Sequence, residues 1–313
     1  MKLINDKAIE SYVKNFNFKQ MLIFPVILLL LSLSILAYTT YKTGSPLELG
    51  LEFKGGTAII FDSLKTPDQL KEEFANYPGV EVRQYSVGDR KIMEFSPMDA
   101  SLKDTLIAKV KSESSNPDTV EIRDMGEQFS KSLQSQAVRA IVISFVFMAI
   151  VIFIIYRTFV PSVAVVISAF ADITFAAAMT DVFGIFLSLG TVAALLMLIG
   201  YSVDTDILLT TRLLKRKGEL NDKIKDAMVT GLTMTLTALA ALIAMFFVSS
   251  GLITSFTRID IIRDISVVLI FGLIADIINT WMTNVGILRW YMEKGTRKTV
   301  KVIEKPKKKR QTS

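Results

Sequence analysis

Two residue types with wide chemical use are absent from this chain of 313 residues, which contains no cysteine and no histidine. Without cysteine, a part exposed outside the cell can form no disulfide bonds. Without either residue, zinc chemistry and nucleophilic triads that use histidine are excluded. We therefore expect neither an enzyme nor a protein with a metal or a soluble cofactor. Any proton relay would have to run through carboxyl groups and their polar neighbours.

Apolar residues are abundant instead, at 51% of the chain, and the mean hydropathy is +0.43. Six apolar runs each approach the roughly 20 residues that a hydrocarbon core of about 30 Å requires. They cover residues 20–38, 137–156, 160–180, 184–206, 229–247 and 265–288. This pattern predicts a polytopic α-helical membrane protein with six transmembrane helices. The first run is predicted to be a retained anchor rather than a cleaved signal peptide.

The distribution of basic residues predicts how the chain is oriented. Lysine and arginine gather in segments that would share the cytoplasmic side, so the positive-inside rule places both termini in the cytoplasm. The predicted parts are a cytoplasmic N-terminus at 1–19, a first transmembrane helix at 20–41, an extracytoplasmic domain at 42–134, a five-helix transmembrane bundle at 135–290 and a basic cytoplasmic tail at 291–313. The net charge of +6 favours membrane lipids with anionic headgroups as a partner, and no specific nucleic acid is needed to explain it.

Two cytoplasmic segments carry much of this charge. Residues 212–226, between the fourth and fifth runs, are predicted to form a short amphipathic helix at the membrane surface. The basic stretch at 305–310 is predicted to be a disordered, solvated extension, which could also touch lipid or ribosomal RNA.

Residues 42–134 form the large polar stretch between the first two runs. Short β-rich runs at 57–62, 80–87, 91–95 and 119–123 are interleaved with helical patterns at 66–77 and 100–112. The order strand, helix, strand, strand, helix, strand predicts a small α+β domain of the ferredoxin-like βαββαβ type.

Acidic side chains interrupt the apolar runs at Asp172, Asp204, Asp206 and Asp276. A charged group at the centre of a bilayer costs roughly 3 kcal/mol on insertion scales, so it is rarely kept without a role. Two roles stay open for these acids. They could carry protons, so that their charge changes during function, or they could form structural hydrogen bonds between helices.

Spacing separates the two acids of the fourth run. Asp204 and Asp206 lie about 200° apart around a helix, so they point to opposite faces and cannot both line one path. A structural role, as an acid that reaches the surface or pairs with Arg212, suits Asp206 better than Asp204. We therefore favour a staggered series of Asp172, Asp204 and Asp276 at different depths, which stepwise proton transfer would require.

Polar neighbours could support these acids. Asp276 shares a helix face with Thr280 and Thr283 by i, i+4 and i+7 spacing, and Asn279 and Asn284 add hydrogen-bonding capacity. This polar stripe could hold water or could simply join neighbouring helices.

Several motifs resemble those of the SecD/SecF family of protein-export membrane proteins, within the resistance-nodulation-division superfamily. Phe53, Gly55 and Gly56 match the F-x-G-G signature that follows the first span. Asp172 after Ala171, the segment 190–196 that runs into 200–203, and Arg212 match the motifs of the third and fourth spans. The sequences of residues 204–206 and 275–280 are closer to those of archaeal SecF-type members than to those of bacterial ones.

The resemblance implies an accessory export subunit of the cell membrane that pairs with SecD, assists the Sec translocation channel and acts on translocating polypeptides by drawing on the proton gradient. Thr205, Arg212, Asn279 and Thr280 would support the acids. Two departures stand out. The fourth span reads Asp204-Thr205 where bacterial members usually have Asn-Asp, and residues 228–247 lack the arginine that bacterial members carry in span five.

Two other functions stay open at this point. A proton-driven exporter of small molecules or lipids in the same superfamily would tend to have twelve spans and larger external domains. A scaffold that organises SecD and the channel without using energy would need its acids only for structure.

Overall fold

The computed structural model describes residues 6–15, 18–84, 89–250 and 260–303. Within them, a helical bundle carries a small α+β domain inserted between its first and second long helices. The chain opens with helix α1 (Asp6–Asn15) and the long helix α2 (Phe18–Thr43), and the small domain follows.

The small domain contains a four-stranded antiparallel sheet with helices packed on one face. Its elements are α3 (Leu51–Lys54), β1 (Gly56–Asp62), α4 (Pro67–Glu73), β2 (Glu81–Gln84), β3 (Arg90–Phe95), α5 (Ala100–Glu113), a 3-10 turn (Pro117–Thr119) and β4 (Glu121–Met125). The strands lie side by side in the order β2-β3-β1-β4. Residues 85–87 of the run predicted at 80–87 lie outside the described residues.

Alternation along the strands builds the core of this domain. Successive side chains of a strand point to opposite faces, so Ile59 and Phe61 of β1 and Met93 and Phe95 of β3 all reach the helical layer. Side chains of α4 and α5 complete the core with Leu70, Phe74, Leu106 and Val110. Helix α4 begins with a capping box, in which Thr66 and Gln69 exchange hydrogen bonds between side chain and backbone.

The remaining helices form the rest of the bundle. They are α6 (Glu127–Tyr156), α7 (Phe159–Val182), α8 (Leu189–Lys215), α9 (Leu220–Ser249), α10 (Asp260–Ile278) and α11 (Val285–Ile303), with one π-helical turn (Asn279–Asn284) between α10 and α11. Five helices of the described chain, α2, α6, α7, α8 and α9, are long and apolar enough to cross a membrane. Helix α10 carries four charged residues, Asp260, Arg263, Asp264 and Asp276, and is not among those five.

Burial places α7, α8 and α10 at the centre of the bundle. In the apolar parts of α7 and α8, 61% and 56% of the residues are buried, against 17% in α2, 11% in α6 and 17% in α9. Helix α10 packs against α7, α8 and α9. The outer helices α2 and α6 expose apolar side chains along most of their length, as expected for surfaces that contact lipid.

Several boundaries differ from the sequence-based expectations. Helix α8 begins at Leu189 rather than 184, because a capping box between Ser188 and Thr191 sets its first turn. The predicted amphipathic helix at 212–226 is wrong, because α8 continues to Lys215 and α9 begins at Leu220. Gly218, with φ of 124°, lies in the short turn that reverses the chain there. Helix α11 extends to Ile303, and the stretch predicted to be disordered at 305–310 lies outside the described residues.

The small domain and helix α1 contact the bundle near opposite ends of α8. Before the N-terminus of α8, Leu187 exchanges backbone hydrogen bonds with the linker to the small domain, accepting from Gly50 at 2.9 Å and donating to Glu48 at 2.7 Å. The guanidinium of Arg83 lies 3.9 Å from the ring centroid of Phe186 in the same loop. Near the other end of α8, α1 packs into an apolar cluster with Leu209 and Leu213.

A buried carboxylate cluster as the candidate functional site

Asp172 lies at the contact of α7 with α8. Small neighbours on α7 allow the two helices to approach closely, since Ser168, Ala169 and Ala176 are buried with almost no exposed surface. The hydroxyl of Ser202 on α8 donates a hydrogen bond to Oδ2 of Asp172 at 2.5 Å. The carboxyl group is fully buried, so this helix contact provides its polar partner.

The π-helical turn brings three polar side chains onto the acids of α7 and α8. Nδ2 of Asn279 donates to Oδ1 of Asp172 at 2.6 Å, and Nδ2 of Asn284 donates to Oδ1 of Asp206 at 2.7 Å. The five-residue hydrogen-bond spacing of a π-helix rotates the side chains relative to an α-helix, and such turns are common at functional sites. The turn thus presents Asn279 and Asn284 to acids on two different helices.

Thr280 joins the two remaining buried acids. Its hydroxyl lies 2.8 Å from Oδ1 of Asp206 and 3.0 Å from Oδ1 of Asp276. A hydroxyl carries one hydrogen and can donate it to one acceptor at a time. For both contacts to be hydrogen bonds, either Asp206 or Asp276 has to be protonated and donate to Thr280 Oγ1. The geometry therefore fits one shared proton between these two acids.

Two carboxylate oxygens of the cluster have no hydrogen-bond donor among the described residues. Oδ2 of Asp206 and Oδ2 of Asp276 are buried and accept no hydrogen bond from the described residues. The hydroxyls of Ser168 and Thr205 lie beside Asp206 and Asp276, respectively. No lysine or arginine of the described chain forms a salt bridge with Asp172, Asp206 or Asp276. An extra proton is therefore the simplest way to neutralise charge in this cluster.

Asp204 lies apart from the cluster, which corrects the predicted series Asp172, Asp204 and Asp276. The two acids of α8 do occupy different faces, but Asp206 is the buried one and Asp204 is exposed. Arg212 pairs with neither, because its Nη1 donates to the backbone carbonyl of Asp226 at 2.7 Å. The structural role that the sequence favoured for Asp206 rested on its position alone. The facing helix, which the sequence does not reveal, decides which acid is buried.

Two members of the site were not assigned by sequence reasoning. Ser202 and Ser168 contact acids on a neighbouring helix, and serine is too common at packed helix contacts to be singled out. The signal for Ser202 was its place four residues before Asp206, on the same face of the helix. Among the described residues, no group of three or more acidic side chains is arranged to hold a metal ion.

The F-x-G-G motif, with Phe53, Gly55 and Gly56, lies at the base of the small domain, where packing and backbone conformation require these residues. Phe53 is buried, and its carbonyl accepts a hydrogen bond from Nε2 of Gln134 on α6 at 2.5 Å. Gly55 and Gly56 have φ of 74° and 119°, and a Cβ at Gly56 would lie 2.0 Å from the carbonyl oxygen of Phe95. The motif therefore forms the junction of α3 with β1, and it does not meet the acids.

Comparisons with known proteins point to one family. Residues 105–294 match the family model described as the C-terminal part of the protein-export membrane proteins SecD/SecF. The chain is 48% identical over 277 residues to the protein-export membrane protein SecF of Methanolacinia petrolearia, covering 88% of this chain and 95% of that protein. It is 38% identical over 286 residues to SecF of Haloquadratum walsbyi, covering 91% and 96%.

A solved structure shares the fold. The crystal structure of SecDF, a translocon-associated membrane protein from Thermus thermophilus, superposes with a TM-score of 0.70 at 18% sequence identity. The match covers 92% of this chain but only 39% of that longer chain. At this identity the comparison supports the multi-pass membrane fold.

Proposed function

Because this chain belongs to the SecD/SecF family of protein-export membrane proteins, we propose that it works with SecD and uses the proton gradient to promote polypeptide export. It acts as an accessory subunit beside the Sec translocation channel. The observation that carries the proton-coupled part of this proposal is the position of Thr280 between two buried carboxyl groups.

The hydroxyl of Thr280 provides a short route for a proton. When Asp276 is protonated, it donates to Thr280 Oγ1, which donates its own hydrogen to Asp206. Transfer along this line leaves Asp206 protonated and Asp276 ionised, and rotation of the hydroxyl resets the chain. Each transfer covers one hydrogen bond, the distance over which proton transfer between positioned groups is efficient.

A change of charge in this cluster acts on the surrounding helices. Asp172, Asp206 and Asp276 stand on α7, α8 and α10, and the π-helical turn contacts the first two through Asn279 and Asn284. An ionised carboxylate holds these amide donors more strongly than a neutral carboxyl group does. Protonation therefore changes how firmly the turn is attached to α7 and α8.

The loop that joins α7 to α8 is hydrogen-bonded to the linker of the small domain, so movement of these helices can reach that domain. The loop between these helices, at residues 183–188, shares two backbone hydrogen bonds with the linker at Glu48 and Gly50. Oδ1 of Asp181 at the end of α7 also accepts the backbone N–H of Glu48 at 3.1 Å. We infer that this contact transmits motion of the bundle to the domain that meets the translocating polypeptide.

The proposed arrangement in the membrane has six spans, with α10 and the π-helical turn providing the sixth. Both termini face the cytoplasm, and the domain within 42–134, of ferredoxin-like type, faces outward. Two observations support this arrangement. The order β2-β3-β1-β4 with antiparallel neighbours is that of a ferredoxin-like sheet. The domain and α1 attach near opposite ends of α8, which at 27 residues is about 40 Å long.

The test is export driven by the proton gradient in membrane vesicles that contain this chain with SecD and the channel. Asp206→Asn should abolish most of the gradient-dependent part of export, whereas Asp204→Asn, two residues away on the exposed face, should leave it nearly unchanged. Co-purification with SecD serves as the control for assembly. If amides at Asp172, Asp206 and Asp276 together leave gradient-dependent export intact, the chain is a scaffold and the proposal is wrong.

A further inference from the structure

Helix α1, which precedes the first long helix, is docked on the bundle. Its side chains Ile9 and Val13 are buried, at 4% and 2% exposure. They belong to one apolar cluster with residues of α8, α9, the π-helical turn and α11: Leu209, Leu213, Ile224, Trp281, Val285 and Leu288. A helix that buries its apolar face in this way is part of the folded structure rather than a solvated extension.

Tyr12 extends from this helix to the π-helical turn. Its hydroxyl donates a hydrogen bond to the backbone carbonyl of Trp281 at 3.0 Å, across 269 residues of sequence. Burial raises the pKa of Tyr12 to about 12, so the hydroxyl keeps its hydrogen over the physiological pH range. The phenol is therefore a permanent donor to this carbonyl.

The carbonyl of Trp281 is the group that distinguishes the two possible helix registers. In a continuous α-helix, the N–H of Val285 would bond to Trp281, four residues earlier. Here it bonds to the carbonyls of Thr280 and Met282, five and three residues earlier. The α-helical partner of Trp281 is thus engaged elsewhere, and the hydroxyl of Tyr12 supplies a hydrogen bond in its place.

We propose that Tyr12 is a positioning residue that holds residues 279–284 in the π-helical register, so that docking of α1 controls the geometry of the carboxylate cluster. Return to an α-helical register would rotate the two ends of the turn relative to each other by about 100°, the angle of one residue. Asn279 could then no longer contact Asp172 while Asn284 contacts Asp206. The cytoplasmic end of the chain would in this way gate the proton site.

Two further contacts hold α1 in place beside the turn. Nη1 of Arg289 on α11 donates to the carbonyl of Val13 at 2.8 Å. Lys225 on α9 lies 3.5 Å from the carboxylate of Glu10. These contacts allow a second variant that loosens α1 without altering Tyr12. The assignment of Tyr12 to the π register stands on geometry alone, whereas its effect on export depends on the function proposed above.

The experiment is amide hydrogen exchange in residues 279–288 of the full chain in complex with SecD. Tyr12→Phe removes the hydroxyl and keeps the ring, and the matched control is Tyr41→Phe, whose side chain is 91% exposed. Loss of one hydrogen bond should speed exchange in this segment by about threefold to tenfold. Arg289→Gln should give the same pattern.

The outcomes separate the two proposals. If exchange in Tyr12→Phe equals that in Tyr41→Phe, or if only Arg289→Gln accelerates it, the assignment of Tyr12 is overturned. If exchange accelerates and gradient-dependent export falls, both proposals are supported. If exchange accelerates while gradient-dependent export is unchanged, Tyr12 holds the register but docking of α1 does not control the site, which overturns that part of the proposal and leaves the proposed function untouched.

Discussion

At the scale of single residues, the number of hydrogens limits what the cluster can be. Thr280 has one hydroxyl hydrogen for two carboxyl oxygens, and Asn284 adds a donor to the same oxygen of Asp206. With both acids ionised, two negative charges would share one hydroxyl donor in an apolar interior, which is costly. A single proton held between Asp206 and Asp276 satisfies the contacts with less charge. Sharing of a proton between Asp206 and Asp276 therefore depends on the hydroxyl of Thr280.

Replacing this hydroxyl tests its role at constant shape. Thr280→Val should lower the rate of proton-coupled export by about 100-fold, because the carboxyl groups lose the group that passes a proton between them. Thr280→Ser keeps the hydroxyl and should retain most of the rate. Export in vesicles measures both, with co-purification with SecD as the control for folding. Equal rates for the valine and serine variants would show that the hydroxyl does not participate.

The glycines of the external motif lead to a prediction about stability. Gly56→Ala forces a side chain into a backbone with φ of 119° and places Cβ against the Phe95 carbonyl, so we expect a loss of about 3 kcal/mol or more in domain stability. Gly126→Ala is the matched control, because φ is −67° and no atom lies within 4 Å of the added Cβ. Limited proteolysis of the full chain compares the two. Equal resistance would contradict the assigned packing.

At the scale of elements, the sequence predicts those helices and strands whose positions depend on hydropathy and on turn-forming residues. Apolar runs locate five of the long helices, and short β-rich runs locate the four strands of the small domain along the chain. The π-helical turn at Asn279–Asn284 leaves no such signal, since its residues have no shared preference for that register. The choice between Asp204 and Asp206 likewise depends on which face of α8 meets α10. That contact is tertiary, so periodicity could separate the two acids but could not rank them.

One contact between three elements predicts a pH dependence of the small domain. Asp124 on β4 accepts from Lys103 Nζ on α5 at 2.7 Å and from Thr57 Oγ1 on β1 at 2.7 Å. The Lys103 ammonium first, and then the Thr57 hydroxyl, lower the pKa of Asp124 below its usual value. A group whose pKa is lowered by folding stabilises the fold above its unfolded pKa, near 3.9, and this contribution is lost as the pH falls through the lowered pKa.

The measurement is thermal unfolding of the chain and of its Asp124→Asn variant at several pH values. The native chain should be the more stable of the two at about pH 6, and the difference should shrink as the pH falls below the unfolded pKa of about 3.9. Other titrating groups affect both proteins equally and cancel in the comparison. A difference that stays constant over this range would show that the charge of Asp124 does not stabilise the domain.

At the scale of the whole molecule, the carboxylate cluster lies between two attachments. The contact of the α7–α8 loop with Glu48 and Gly50 connects the bundle to the small domain, and Tyr12 connects the π-helical turn to α1. The identification as an archaeal-type SecF relative, made from short motifs, is confirmed by the family model and by relatives that match over most of the chain. In the described chain the acids of the cluster contact asparagine and threonine donors, and residues 228–247 contain no arginine.

Proton flux into vesicles that contain only this chain and SecD shows whether the buried carboxylate cluster conducts protons. A pH-sensitive dye inside the vesicles reports proton entry after a gradient is imposed. Asp206→Asn should remove most of the flux carried by the native pair, while Asp204→Asn should retain it. Full flux in Asp206→Asn, or loss of flux in Asp204→Asn alone, would contradict proton conduction by this cluster.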